Sequence, residues 1–179
     1  MAEFTFHTSE NSSGKRRELL EGIEKGYGFL PNLFAYMVEA PEAVEAYLKL
    51  NELVARTSLS GSQQQVALLA ASVENACGFC SVAHRAMGKA KGANPQTLAA
   101  LADDAPIDHP QDRALVDFTR TLIRTRGNPS EEQLQAFLAA GFSKQQIFEV
   151  ILIVAIKTLS NYSNHLTHPE PNKELLAML

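Results

Sequence analysis

Helix-start signals recur along the chain and constrain its fold more than any other feature. The pattern Ser-x-x-Gln, typical of a capping box, begins at Ser60, Ser130 and Ser143, each time before apolar residues with helical spacing. Prolines stand where the first turn of a helix tolerates them, at Pro31, Pro41, Pro95 and Pro110. No segment alternates strictly between apolar and polar residues, as a half-buried strand would. The chain is therefore predicted to be all-α, with about seven to eight helices.

The extent of these patterns predicts the domain organisation. A chain of 179 residues is long enough for one domain around a single core. Residues 15–166 are predicted to form this helical domain, and the polar or proline-bearing segments 1–14 and 167–179 to be loosely held arms. The first segment lacks the apolar run of a signal peptide, which favours a cytoplasmic protein.

The last long helix, predicted from about Lys144 to about Leu166, contains the most apolar stretch of the chain. This stretch, Ile147 to Ile156, is interrupted by Glu149 and is shorter than the ~20 residues of a membrane span. It is apolar on nearly all sides, so we expect the helix to be enclosed on most of them. Two explanations stay open: a homo-oligomer in which another subunit covers part of the helix, or a central helix within a monomer.

Charge and cysteine content narrow the possible functions. Sixteen Lys and Arg against twenty Asp and Glu give a net charge of −4, which does not favour binding to nucleic acid or to an anionic membrane surface. The two cysteines, Cys77 and Cys80, lie three positions apart, unlike the scattered set of a secreted disulfide scaffold. We therefore expect this pair to carry chemistry.

Cys77, Cys80 and His84 can share one stripe of a helix about 60° wide. Cys80 and His84 are an i, i+4 pair, so the ring could accept the thiol proton directly or through one water. Gly78 indicates that the helix begins at or near Cys77, where the positive end of the helix and a nearby imidazolium would lower a thiol pKa. Peroxide would then convert one sulfur to a sulfenic acid, and the other would condense with it to a disulfide.

Other interpretations of this motif remain open. Cys77, Cys80 and His84 could bind a structural zinc ion with a distant fourth ligand such as His165. The cysteines could also be buried structural residues beside a surface histidine. His165 by itself is explained by a favourable position at a helix C-terminus. A thioredoxin-type motif would need a βαβ context that is not indicated here.

The segment Glu74–His84, ENACGFCSVAH, resembles the signature of the AhpD-like alkylhydroperoxidases in the carboxymuconolactone decarboxylase superfamily. The ending Asn161–His165 is similar to the peroxidase-related branch of that family. The resemblance implies an AhpD-like helical bundle that forms trimers or hexamers and acts as an antioxidant oxidoreductase. It implies a thiol-dependent peroxidase for hydroperoxides, reduced by an external dithiol or protein, with no cofactor and no metal. Cys80 would attack the peroxide, Cys77 would form the redox-active disulfide, and His84 would move the proton.

The chain departs from the family pattern at two positions. A relay glutamate twelve residues before the first cysteine is replaced by Gln65, which cannot titrate but can orient a water or the imidazole. The histidine before the second cysteine is replaced by Phe79. Glu74 would substitute for the relay carboxylate if the helix continued through Cys77; otherwise it is a solvated or salt-bridged acid. These departures motivate an alternative, a non-catalytic or redox-sensing helical oligomer. Lactone decarboxylation fits the superfamily name but does not require the cysteine pair.

Overall fold

Helices account for all the regular secondary structure of residues 3–179, the range that the computed structural model describes. In chain order they are α1 (Gly14–Tyr27), α2 (Asn32–Met37), α3 (Pro41–Ala55), α4 (Gly61–Glu74), α5 (Gly78–Ala90), α6 (Pro95–Ala102), α7 (Pro110–Arg124), α8 (Glu131–Ala139), α9 (Lys144–Thr167) and α10 (Lys173–Leu176). All except α2 and α10 have eight residues or more. The prediction of an all-α fold is confirmed. Helix α2 follows the predicted start at Pro31, whereas α10 lies in the segment predicted to be an arm.

The predicted capping boxes start three of these helices. At α4, α8 and α9 the serine hydroxyl accepts a hydrogen bond from the backbone three residues on, and the glutamine side chain accepts one from the serine N–H. Prolines occupy the first turn of α3, α6 and α7, whereas Pro31 precedes α2 as its N-cap. Local signals therefore set the helix starts, because each cap satisfies backbone N–H groups within one turn.

The helices α4 and α9 form the centre of the bundle. Helix α4 packs against α5, α7 and α9, and its residues 65–72 are all buried. Helix α9 also contacts α2, α3 and α7. Near its start, the buried carboxylate of Glu149 accepts hydrogen bonds of 2.8 and 2.9 Å from the backbone N–H and the hydroxyl of Ser58. This contact aligns α9 with the start of α4, so residues from both helices meet inside the bundle.

The terminal segments pack on the domain, so the prediction of loosely held arms is wrong for residues 3–14 and 168–179. The side chain of His7 is buried, and its backbone N–H donates to the Ala35 carbonyl at 2.8 Å. At the other end, Leu175 is buried, and the Asn172 side chain accepts from the backbone N–H of Asn32 at 2.8 Å. These contacts join segments far apart in sequence, which local composition does not reveal.

One face of α9 remains exposed. Phe148 is 71% exposed and Leu166 is 67% exposed, and Ile151 and Tyr162 lie exposed between them. The opposite side, which includes Ile153, is buried. The expected enclosure on most sides is therefore incomplete within one chain.

No single helix in residues 3–179 combines the length and the hydropathy needed to cross a membrane. Helices α8 and α9 satisfy those criteria only when taken together, as a pair bent by 110°.

Candidate redox-active site

The backbone between α4 and α5 positions both cysteines. Helix α4 ends at Glu74, and Ala76 adopts a left-handed conformation with φ 54°. The N–H of Cys77 then donates to the Ser72 carbonyl at 2.9 Å, as in a Schellman ending. Cys77 is the N-cap of α5, and Cys80 lies in the first turn. The prediction that this helix begins at or near Cys77 is confirmed.

The two sulfurs lie together beneath α9. Both cysteines are free thiols and each is 2% exposed. The side-chain amide of Asn164 donates from Nδ2 to both, at 3.2 Å to Cys80 Sγ and 3.6 Å to Cys77 Sγ. Ser160 Oγ lies 3.9 Å from Cys80 Sγ. One amide group thus bridges the pair and keeps the sulfurs near each other.

The two thiols have opposite pKa shifts. The neighbouring Cys77 thiol contributes most to lowering the pKa of Cys80 to about 5, followed by the charge of Lys157 and by polar interactions with Lys157 and Ser160, although burial opposes this. The same interaction between the two sulfurs, together with burial, raises the pKa of Cys77. Near neutral pH the pair is therefore a Cys80 thiolate beside a Cys77 thiol.

The imidazole of His84 joins polar side chains from two other helices. Its Nδ1 lies 3.0 Å from Oε1 of Gln65, and its Nε2 lies 2.9 Å from Nζ of Lys157. An ammonium group can only donate, so Nε2 accepts from Lys157 and Nδ1 carries the proton that it donates to Gln65. Burial, and then the charge of Lys157, lower the pKa of His84 well below its ordinary value. The ring is therefore neutral and has one tautomer.

This geometry revises the predicted role of His84. The sequence predicted that the ring accepts the Cys80 proton directly or through one water. Both ring nitrogens instead have other partners, and no hydrogen bond joins the ring to either sulfur within residues 3–179. His84 holds the ammonium of Lys157, and the charge of Lys157 acts on the Cys80 thiolate. Gln65, as the sequence suggested, contacts the imidazole.

Glu74 does not reach the imidazole, so the prediction that it replaces the relay carboxylate is wrong. Its two oxygens accept hydrogen bonds from Arg124 at 2.6 and 2.8 Å, and Arg120 Nε lies 3.7 Å away. The turn at Ala76 breaks the helix and rotates Glu74 out of the stripe that a continuous helix would form. Glu74 is the salt-bridged acid of the alternative interpretation.

Sequence reasoning missed the residues that α9 contributes. Lys157 and Ser160 are 0% exposed and Asn164 is 4% exposed. Spacings of three and four residues place them on one stripe of the helix. A polar stripe on an otherwise apolar helix is the signal that would have indicated them, because buried polar side chains need partners inside the protein.

The geometry does not fit the zinc interpretation or that of a surface histidine. Within residues 3–179, no three His, Cys, Asp or Glu side chains are arranged to hold a metal ion. The ring nitrogens of His84 are engaged by Gln65 and Lys157, and His84 is itself buried. His165, the suggested fourth ligand, is exposed to solvent.

Each sulfur borders a different hollow. Cys80 and His84 border a cavity of about 210 Å³, which we call the aromatic cavity; α1, α2 and α3 contribute the rings of Tyr27, Phe34 and Tyr47. Cys77 borders a groove of about 400 Å³ between the start of α5 and residues 168–171, which we call the Cys77 groove. Cys77 and Cys80 therefore border different cavities.

The chain is similar to known proteins in sequence and in fold. The chain matches the model of the carboxymuconolactone decarboxylase family over residues 41–120. It is similar to the AhpD core structure of a peroxidase-related protein from Ralstonia eutropha JMP134, with TM-score 0.85 and 22% identity over 98% of this chain and 95% of that one. For a peroxidase-related protein from Silicibacter sp. TM1040 the values are 0.78 and 20%, over 97% and 95%.

A third similar structure has a different named activity. The debrominase Bmp8, in complex with 2,3,4-tribromopyrrole, has TM-score 0.78 and 16% identity over 99% of this chain and 95% of its own. No curated protein matches the chain significantly. These likenesses confirm the AhpD-like fold that the sequence predicted.

Proposed function

We propose that the chain is a thiol-dependent peroxidase that cycles through a Cys77–Cys80 disulfide. The match of residues 41–120 to the carboxymuconolactone decarboxylase family and the AhpD-like fold support this proposal. The observation that carries this proposal is the buried Cys80 sulfur, which lies beside a second thiol under the influence of the buried Lys157 ammonium. The peroxidase-related names of two similar structures support it.

In the oxidation step, the Cys80 thiolate attacks the terminal oxygen of a hydroperoxide. The S–O bond forms, the O–O bond breaks, and Cys80 becomes a sulfenic acid. The departing alkoxide takes a proton from the ammonium of Lys157, which His84 holds at 2.9 Å. Lys157 thus supplies the proton that Gln65 cannot supply.

In the resolving step, the Cys77 sulfur attacks the sulfur of the Cys80 sulfenic acid. The S–S bond forms, the S–O bond breaks, and the hydroxide leaves as water with the Cys77 proton, which the neutral amine of Lys157 can carry. The net reaction converts one hydroperoxide to an alcohol and water while two protein thiols become a disulfide. An external dithiol then restores the thiols, so we expect the protein to work in a reducing compartment such as the cytoplasm.

Turnover number tests this proposal. With dithiothreitol in excess, the protein is expected to consume many equivalents of cumene hydroperoxide per subunit, measured as peroxide remaining over time. Loss of only one equivalent per subunit would contradict catalysis and favour the redox-sensing alternative.

A second candidate, reductive dehalogenation, is favoured by the aromatic cavity against Cys80. The similar structure of Bmp8 is that of a debrominase bound to tribromopyrrole. Such a reaction replaces a C–Br bond by C–H, releases HBr and oxidises two thiols to a disulfide. Release of bromide from tribromopyrrole in the presence of dithiothreitol, absent in the Cys80→Ser variant, would assign this activity.

We also propose a homo-oligomer, a trimer or hexamer, that covers the exposed face of α9. Replacing both Phe148 and Leu166 by glutamate is expected to reduce the mass measured by sedimentation velocity, because charge would be buried in an apolar interface. The exposed Lys144 on the same helix provides the control, since Lys144→Glu changes charge without removing apolar surface. A parent protein that sediments as a monomer would contradict this proposal.

A further inference from the structure

We propose that the external dithiol reduces the disulfide by attacking Cys77 from the Cys77 groove, whereas the oxidising substrate reaches Cys80 from the aromatic cavity. This inference rests on the proposed disulfide cycle and assigns its two reactants to two separate entrances. It also identifies the sulfur that forms the mixed disulfide.

The linings of the two hollows support separate entrances. The Cys77 groove is bordered by Cys77 and not by Cys80, and the aromatic cavity is bordered by Cys80 and not by Cys77. Phe79 borders both and is buried, so its ring forms part of the partition between them. Beside Cys77 the groove is bordered by the small residues Ala76 and Gly78, which leave room for an approaching sulfur.

An unpaired buried acceptor points to a ligand in the groove. Asn164 borders the groove, and its Nδ2 donates to both sulfurs. Its Oδ1 is buried and has no hydrogen-bond partner within residues 3–179. Buried polar atoms are nearly always satisfied, so this oxygen is available to accept a hydrogen bond from an S–H of the incoming dithiol.

The electron flow favours attack at Cys77. A thiolate of the dithiol forms a bond to the Cys77 sulfur, the Cys77–Cys80 bond breaks, and the electron pair goes to Cys80. The charge of Lys157 and the Asn164 amide stabilise the Cys80 anion, which makes it the better leaving group. The second thiol of the dithiol then attacks the first sulfur of the same dithiol, which is bonded to Cys77 in the mixed disulfide. Cys77 leaves and takes up a proton, and the dithiol departs as a disulfide.

Adjacent residues of α5 provide a matched pair of variants. Val82 borders the groove and Ala83 borders the aromatic cavity, and both are half-buried. Val82→Phe is expected to slow reduction of the pre-formed disulfide by dithiothreitol at least about ten-fold, with oxidation by cumene hydroperoxide changed less than about two-fold. Ala83→Phe is expected to do the reverse. Both half-reactions are followed by acid quench, alkylation and mass spectrometry.

The opposite pattern, or equal slowing of both half-reactions by each variant, would overturn the proposal. The disulfide can be prepared with diamide, so the reduction test does not depend on peroxidase activity. Failure of the proposed function would appear separately, as no peroxide consumption by the parent protein.

A second measurement needs no variant. Oxidised parent protein is mixed with the monothiol 2-mercaptoethanol and quenched in acid, and the mixed disulfide is located by peptide mass spectrometry. An adduct on Cys77 is expected. An adduct on Cys80 would show that the thiol attacks from the aromatic cavity and would overturn the proposal.

Discussion

The Cys80→Ser variant is expected to lose peroxide consumption by roughly 10³-fold or more, because the attacking sulfur is gone and a serine hydroxyl is a weak nucleophile without a strong base. Neither Gln65 nor Cys77 replaces it. Gln65 does not titrate, and the raised pKa of Cys77 keeps that sulfur protonated. The measurement is the loss of peroxide over time, with the same excess of dithiothreitol added to the parent protein and to the variant.

The Cys77→Ser variant is the matched control for this prediction. Its hydroxyl can still donate a hydrogen bond to the Cys80 sulfur, so the Cys80 pKa should remain low and one equivalent of peroxide should be consumed. The product should be a Cys80 sulfenic acid, detectable as a dimedone adduct, with no formation of the internal disulfide. If Cys80→Ser consumed peroxide as fast as the parent protein, the assignment of the nucleophile would be wrong.

The Lys157→Met variant is expected to slow the reaction of Cys80 at pH 7 by about 10- to 30-fold. The lowered pKa of about 5 means that the parent sulfur is almost entirely thiolate at this pH. Loss of the ammonium raises the pKa of Cys80 toward its ordinary value near 8.5, where only about 3% is thiolate at pH 7. The thiolate is the form present above the pKa, so the difference between the two proteins should disappear as the pH rises above about 9.

The rate of alkylation by iodoacetamide against pH measures this effect in a Cys77→Ser background, where one thiol remains. The parent profile should level off above about pH 6, and the Lys157→Met profile should rise through about pH 8 to 9. Glu74→Gln is the control, because it removes a carboxylate that pairs with Arg124 rather than with the site. Coincident profiles for Lys157→Met and its parent would contradict the role of the ammonium.

Much of the site could be predicted because its residues are close in sequence. Cys80 and His84, four residues apart within α5, lie on one stripe whatever the helix packs against, and Cys77 precedes them as the N-cap. The same locality explains the capping boxes, whose hydrogen bonds close within one helical turn.

The predicted position of Glu74 beside His84 was wrong because of the backbone conformation of one residue, Ala76. Ala76 adopts a positive φ, a conformation that alanine rarely takes. A glycine at this position would have indicated such a turn in the sequence, but the residue is alanine. The helix therefore ends before Cys77, and the angular argument that placed Glu74 beside His84 does not apply.

The sequence by itself determined that the chain is helical, where its capped helices begin, and that Cys80 and His84 share one face of α5 with Cys77 close to its start. Only the tertiary structure decided what this face meets: Lys157 lies 73 residues after His84, and Asn164 lies 84 residues after Cys80. The physical reason is that helical periodicity orients side chains around one axis, whereas the contact between two helices depends on how all the apolar faces pack together. The buried ammonium, rather than an acid within the motif, thus became the charge that acts on Cys80.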